Sequence, residues 1–231
     1  MNLSIAAISD TSKLDEIREV LGKLEWRDGR ATAGAVAARV KVNEQAIMGK
    51  PAGRVAAQML LPLIAENAVV KAAARPAKIS NLLISKTQNG GHYGAHVDNA
   101  LMSKGQGIGK GDGPIRTDIS FTLFLSDPKD YEGGELVVQT AGMTQSIKGE
   151  EGTLILYPST SIHEVTPVTS GTRIVAVGWI ESHIRDDAQR ELLFDMQNTR
   201  QSLAAKLEAD APELLMIDKS IANLMRMWAG R

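Results

Sequence analysis

The segment Tyr93-Gly94-Ala95-His96-Val97-Asp98-Asn99 sets an imidazole and a carboxylate two positions apart. Residues two apart on a strand point to one face, so His96 and Asp98 read as a pair on the same side of a β-strand. Such a pair makes two of the three ligands of a 2-His-1-carboxylate metal site, which leaves positions on the metal open to other molecules. The same triplet also fits a strand-edge histidine beside a surface carboxylate, and alone it does not choose. His163 follows 65 positions after Asp98, just past Leu154-Ile155-Leu156-Tyr157-Pro158. It is a natural partner in a barrel whose strands return to one mouth. Ten positions further on, Arg173 falls within an alternating stretch. A guanidinium turned into a barrel needs an anion, because a buried unpaired charge is costly, and its planar fork suits a carboxylate. On its own, Arg173 reads equally as a surface strand residue.

The chain of 231 residues holds four histidines, His92, His96, His163 and His183, and no cysteine. That excludes a disulfide framework, a thiolate zinc finger, an iron–sulfur cluster and a cysteine nucleophile. Any metal centre must be built from nitrogen and oxygen. With 26 basic residues against 27 acidic ones there is no bulk attraction to nucleic acid or to an anionic membrane, and neither is expected as a partner. No apolar run approaches the ~18 residues of a membrane span. Met1-Asn2-Leu3-Ser4 lacks the basic start of a secretory leader, so the cytoplasm is the expected location.

The elements that must position these residues are legible as helices, then strands, then helices. Thr11 or Ser12 is expected to cap a helix that stacks Leu14, Ile17, Leu21 and Leu24 on one face. A second helix is predicted from Ala52 to Ala65, with a kink at Pro62. From Lys78 the period becomes two. Strands are predicted over 79–86, 117–125, 135–140, 144–148, 153–157 and 172–180. Short strands with no helices between them point to an antiparallel barrel or sandwich such as a jelly roll. After Ser182 the helical period returns. Leu192, Met196, Thr199, Leu203 and Leu207 make one stripe, and a last helix after Pro212 carries Leu215, Ile221, Leu224, Met225 and Trp228. This last helix is read as packing on the barrel or forming a homodimer contact. The division expected is a helical support over 1–77, a jelly-roll core over 78–182 and a helical segment over 183–231.

The glycine-rich stretch 103–113 lacks the spacing of a phosphate loop, since Lys104 stands where the first glycine should be. It is expected to be a loop that acts as a lid. His92 would share a strand face with His96 and Asp98, and these three could form the zinc centre of a hydrolase. A further alternative is a non-catalytic jelly-roll module that binds and senses iron. His183 is expected to be a structural or surface residue, Trp179 a packing residue, and Arg116 with Asp118 either an ion pair or a substrate contact.

Taken together, His96-x-Asp98, His163 and Arg173, with Gly133-Gly134-Glu135-Leu136 between them, resemble the Fe(II)/2-oxoglutarate-dependent dioxygenases of the prolyl-hydroxylase type. From about Trp26 to Asp195 the resemblance narrows to the bacterial PKHD-type hydroxylases. It is carried by Asp28-Gly29-Arg30-Ala31-Thr32-Ala33-Gly34, Thr122-Leu123-Phe124-Leu125-Ser126-Asp127-Pro128, Leu156-Tyr157-Pro158-Ser159 and Arg185-Asp186-Asp187-Ala188-Gln189-Arg190-Glu191. The resemblance implies an α+β chain with a double-stranded β-helix core flanked by helices. It implies Fe(II) on His96, Asp98 and His163, and the distal carboxylate of 2-oxoglutarate on Arg173. Succinate and CO2 would be released as O2 hydroxylates an unidentified peptidyl residue or small metabolite, with ascorbate as the family's reductant. Asp98 fills the position that a halogenating relative would vacate for chloride. Where such enzymes often carry an aromatic hydroxyl ahead of a glycine turn, this chain has Lys86-Thr87-Gln88-Asn89-Gly90-Gly91. Thr87 or Tyr93 is expected to take over that cosubstrate contact.

Overall fold

The computed structural model describes residues 1–32, 37–102, 107–108 and 114–230. In its N-terminal third, β1 (Leu3–Ala6), α1 (Thr11–Leu21), β2 (Trp26–Asp28), β3 (Lys41–Val42) and β4 (Glu44–Ala46) precede α2 (Pro51–Ala65) and α3 (Ala68–Ala74). Next come β5 (Pro76–Ser80), β6 (Leu83–Gln88), β7 (His92–His96), β8 (Leu101–Met102), β9 (Gly107–Ile108), β10 (Ile115–Arg116) and β11 (Ile119–Phe124). The remaining strands are β12 (Tyr131–Gly133), β13 (Leu136–Thr140), β14 (Met143–Ile147), β15 (Thr153–Pro158), β16 (Ile162–Val165) and β17 (Val168–Ser182). α4 (Asp187–Ala204) and α5 (Pro212–Trp228) close the chain.

Two antiparallel sheets face each other as a jelly roll. The larger runs β1-β15-β11-β17-β6-β4-β2 and the smaller β14-β13-β16-β7-β3. Its spine is β17, which pairs with β11, β6, β5 and β12 along its 15 residues. Period-two geometry sends its residues to two different environments. Ile174, Ala176 and Ile180 pack outward beneath α1, α2 and α3, in one apolar cluster with Leu14, Ile17, Leu60, Ile64 and Val70. Arg173, Val175, Val177 and Trp179 face the space between the sheets. There Leu136 and Val138 of the small sheet meet Phe124, Ile155, Tyr157 and Val175 of the large one.

Several expected boundaries shift, each for a local reason. Asp10, not Thr11 or Ser12, caps α1 by accepting from the Ser12 and Lys13 amides, since the helix begins one residue earlier and takes Thr11 and Ser12 into its first turn. Pro62 stays inside α2, and the 66° change of direction falls at the break after Ala65, where Asn67 caps α3. The single strand expected over 79–86 is two, β5 and β6, which pair with opposite ends of β17. In α4 the buried side chains are Arg190 and Leu193, whereas Leu192 is 47% exposed. In α5 Leu214 is buried and Leu215 is 72% exposed, while Ile221, Leu224, Met225 and Trp228 pack against Leu193 and Met196. The helices turn toward one another and toward Ile184, which sets the phase of both stripes. The lid expected over 103–113 lies outside the described residues, apart from Gly107–Ile108, which pair with β5.

Candidate active site

A cleft opens between the sheets, with about 890 Å3 of empty space when the adjoining open solvent is counted. β6, β11 and β17 form its floor, β7, β13 and β16 its opposite wall, and Lys41, Asn43 and Gln45 line one side.

His96 ends β7 and stands in register with His163 on β16, their ring centroids 4.3 Å apart. Each imidazole is oriented by its own strand. His96 Nδ1 donates to Gly94 O at 2.9 Å, and His163 Nδ1 donates to Ser161 O at 3.1 Å. That tautomer leaves both Nε2 lone pairs facing the cleft, as a metal requires. Asp98 lies just past the end of β7, and the chain there turns its carboxylate back toward the histidines. Oδ1 is 3.9 Å from His96 Nε2, and Oδ2 is 3.6 Å from His163 Nε2. One ligand atom from each of the three residues lies within 4.8 Å of the others. Burial, reinforced by His163, holds the His96 pKa down to about 4, so the imidazole is a neutral donor near pH 7. Two imidazoles and one carboxylate fit a divalent ion of borderline character.

At the other end of the cleft Arg173 is 2% exposed. Its guanidinium lies 5.4 Å from the Phe124 ring centroid, and Nε and Nη2 have no hydrogen-bond partner among the described residues. Burial lowers its pKa, and the neighbouring Tyr131, Tyr157 and Glu135 offset part of that. The Tyr131 hydroxyl lies beside the guanidinium without a well-aligned hydrogen bond and is itself buried and unpartnered. Two fork N–H groups left open in an apolar wall fit a carboxylate. Gly134, at φ +69°, lets the chain pass close by, for a Cβ there would stand 2.8 Å from Arg173 Cδ.

The expected site residues are divided by their positions. His96, Asp98 and His163 come together, and Arg173 and Thr87 are cross-strand partners on β17 and β6, both lining the cleft. Tyr93 stands at the metal end, stacked on His96 at 3.7 Å between centroids. His92 is not part of the cluster. Four positions along β7 separate it from His96 by about 13 Å, and its Nδ1 contacts Gly90 O instead. The His92/His96/Asp98 zinc site is thereby overturned. Arg116 and Asp118 form a half-buried ion pair at 2.7 Å that ties β10 to the end of β17, and His183 is exposed. Trp179 packs on Met102, Ile115 and Leu83 as expected, and it also lines the cleft with its indole N–H buried and without a partner among the described residues. Residues with no expected role also stand here. Gln45 offers a buried, unpaired Oε1 to the cleft, and Ser120 donates to Asp98 Oδ2 at 2.6 Å. Tyr131 precedes the Gly133-Gly134 turn, a signal of the same kind as the aromatic sought ahead of Gly90-Gly91.

Residues 82–181 match the 2OG-Fe(II) oxygenase superfamily, and residues 187–230 match the PKHD-type hydroxylase C-terminal domain. A PKHD-type hydroxylase of Hyphomonas neptunium is 48% identical over 216 residues, covering 94% of each chain. One of Gloeothece citriformis is 42% identical over 229 residues, covering 99% of this chain and 100% of its own. Among solved structures, a prolyl hydroxylase of Trichoplax adhaerens, in complex with a peptide of the hypoxia inducible factor oxygen degradation domain, superposes with a TM-score of 0.59. It is 17% identical and covers 83% of this chain and 86% of its own. A viral collagen prolyl hydroxylase of Paramecium Bursaria Chlorella virus-1, in a 2OG complex, gives 0.51 at 17% identity, covering 78% and 95%. These two share the jelly-roll fold.

Proposed function

The chain belongs to the PKHD-type hydroxylases of the 2OG-Fe(II) oxygenase superfamily, and from that premise we propose that His96, Asp98 and His163 hold its Fe(II) while Arg173 holds the distal carboxylate of its 2-oxoglutarate. The observation that carries this assignment is the pairing of a three-ligand cluster with an unpaired, fully buried guanidinium in one cleft. Bound iron supplies the oxidative chemistry, in which O2 and 2-oxoglutarate yield succinate, CO2 and a hydroxylated substrate.

The protein's own part is orientation and exclusion of water. Arg173 donates two fork N–H groups to the distal carboxylate, and Thr87, its register partner, adds a hydroxyl at the same end. Leu136, Val165 and Val175 line the way between that end and the metal and keep it dry. Tyr93 stacks on His96 and fixes the ring plane. In the cleft, Gln45 Oε1 accepts from and Trp179 Nε1 donates to a polar substrate, either a peptidyl residue or a small metabolite. Residues 78–182 supply the iron and 2-oxoglutarate ligands, 1–77 adds β1 to β4 to the two sheets and Gln45 to the cleft, and 183–231 is a helical support. Ascorbate keeps the iron ferrous between turnovers. Pairing of two copies through the exposed Leu215, Met216 and Met227 of α5 gives a homodimer, which light scattering on the purified protein checks.

Protein loaded anaerobically with Fe(II) is expected, once given O2, to convert 2-oxoglutarate slowly to succinate without any added substrate. Asp98→Ala and Arg173→Ala lose this turnover. Wild-type succinate formation by a correctly folded Asp98→Ala protein would refute the assignment of the iron ligands.

A further inference from the structure

Beneath the metal end of the cleft, the large sheet presents hydroxyls where an apolar floor would be expected. Ser120 on β11 is 1% exposed and Ser159, just past β15, is 3% exposed. Ser120 Oγ donates to Asp98 Oδ2 at 2.6 Å and lies 2.7 Å from Ser159 Oγ. A serine hydroxyl has one proton. With that proton committed to Asp98, Ser120 can only accept from Ser159, so the order of donation is Ser159 to Ser120 to Asp98. Each bond polarises the next, and the last is a short bond to a carboxylate. Oδ1, by contrast, accepts from no donor among the described residues and faces His96 Nε2. Asp98 needs such a brace more than the histidines do. Both imidazoles are held within a paired strand and by a carbonyl of their own chain, whereas Asp98 lies beyond the end of β7. Ser120 and Ser159 are anchored in turn. Ser120 pairs with both Trp179 and Tyr157 in the sheet, and the Ser159 amide donates to Asp118 O.

We propose that Ser120, backed by Ser159, is the positioning residue of the metal site. It fixes the rotation of the Asp98 carboxylate before metal arrives, so that the least constrained ligand meets the ion preset. The proposal rests on the assignment of His96, Asp98 and His163 as ligands.

The test is Mn2+ affinity, read by the free-ion resonance signal on the otherwise metal-free full chain. Mn2+ shares the charge of Fe(II) and its preference for nitrogen and oxygen, and it does not oxidise in air. Ser120→Ala is expected to weaken Mn2+ binding by about tenfold, the lower end of what the loss of a ligand's hydrogen-bond partner costs. Ser159→Ala weakens it by less, and Ser120→Thr, which keeps the hydroxyl, restores it. In an Asp98→Ala background, Ser120→Ala should have no further effect, because the brace then has nothing to hold. Thermal melts of each metal-free variant confirm that the comparison is between folded proteins, and Ser159→Ala carries the test should Ser120→Ala not fold. Wild-type affinity in a folded Ser120→Ala, or a Ser120→Thr as weak as Ser120→Ala, overturns the positioning role. If Asp98→Ala itself bound Mn2+ as tightly as the wild type, the ligand assignment would fall instead.

Discussion

Two buried cations face one cleft from opposite ends, and they are built differently. Arg173 lies on the central strand of the large sheet, 2% exposed, over the Phe124 ring and against a glycine that leaves no slack. Lys41 starts a two-residue edge strand of the small sheet, with the exposed Val40 and Val42 on either side. A guanidinium keeps its proton in any protein environment, whereas an ammonium is readily moved by burial. Burial brings Lys41 down to about 8. The closed end is thus a fixed charge in a rigid socket, suited to one small dicarboxylate at every turnover. The metal end holds a titratable ammonium on an edge strand, 5% exposed and over the Tyr93 ring.

The largest expected effect is at the closed end. Arg173→Met keeps the apolar stem of the side chain and removes the charge. Loss of one partner of a buried charged pair costs roughly 2 kcal/mol or more, so the Kd for 2-oxoglutarate should rise by more than about thirtyfold. Stability without 2-oxoglutarate should move the other way or not at all, because an unpaired buried charge gives way to an apolar group. Calorimetric titration and thermal melts of the cosubstrate-free protein read the two quantities. A variant that lost both affinity and stability would make Arg173 a structural residue, and the contrast between the two ends would fail.

Gly134→Ala comes next. A side chain at φ +69° costs about 1–2 kcal/mol, and its Cβ would press on Arg173 Cδ. Tm should fall by a few degrees and 2-oxoglutarate should bind several-fold more weakly, with Mn2+ affinity unchanged. Trp179→Phe retains an aromatic ring against Met102 and Leu83 and removes the indole N–H together with part of the ring system. Succinate formation without substrate should be unaffected. Once a substrate is found, its KM should rise by roughly the worth of one hydrogen bond, about 0.5–1.5 kcal/mol. A fall in uncoupled turnover would place Trp179 on the cosubstrate side.

The same contrast governs what could be read in advance. His96, Asp98, His163 and Arg173 were legible because few residue types can do their work, and their spacing suits a barrel. The register that sets His163 opposite His96 is a property of three-dimensional pairing and left no local mark. The short strands β1 to β4 were missed because two to four residues are too few to show a period. Alternation in β11 was visible, with Ser120 and Thr122 set against Ile119, Phe121 and Leu123. Its usual meaning, a wet face and a dry one, did not hold. Both faces are buried, one under helices and the other lining the cleft, so alternation alone does not mark Ser120 as a neighbour of Asp98. Helix phase failed similarly in α4, where Leu192 and Leu193 are equally apolar and only the neighbouring α5 decides which turns inward.

A pH profile tests the titratable cation directly. The Lys41 pKa of about 8 lies below the ordinary lysine value near 10.5, so the folded chain gives up this proton more readily than the unfolded one. Below about pH 8 both states carry the charge, and the folded state bears the full cost of burying it. Between about 8 and 10.5 the unfolded state holds more protons, so unfolding free energy rises with pH across that window. Nearby Asp98 and Asp28 favour the charged form and reduce the gain. In metal-free protein, Lys41→Met should remove this rise from the pH profile of stability while leaving 2-oxoglutarate affinity of the metal-loaded protein flat from pH 7 to 9. Arg173 keeps its charge throughout, so the closed end has nothing to titrate there. If the rise persisted in Lys41→Met, another group would be its source, and the two cations would differ in position but not in kind.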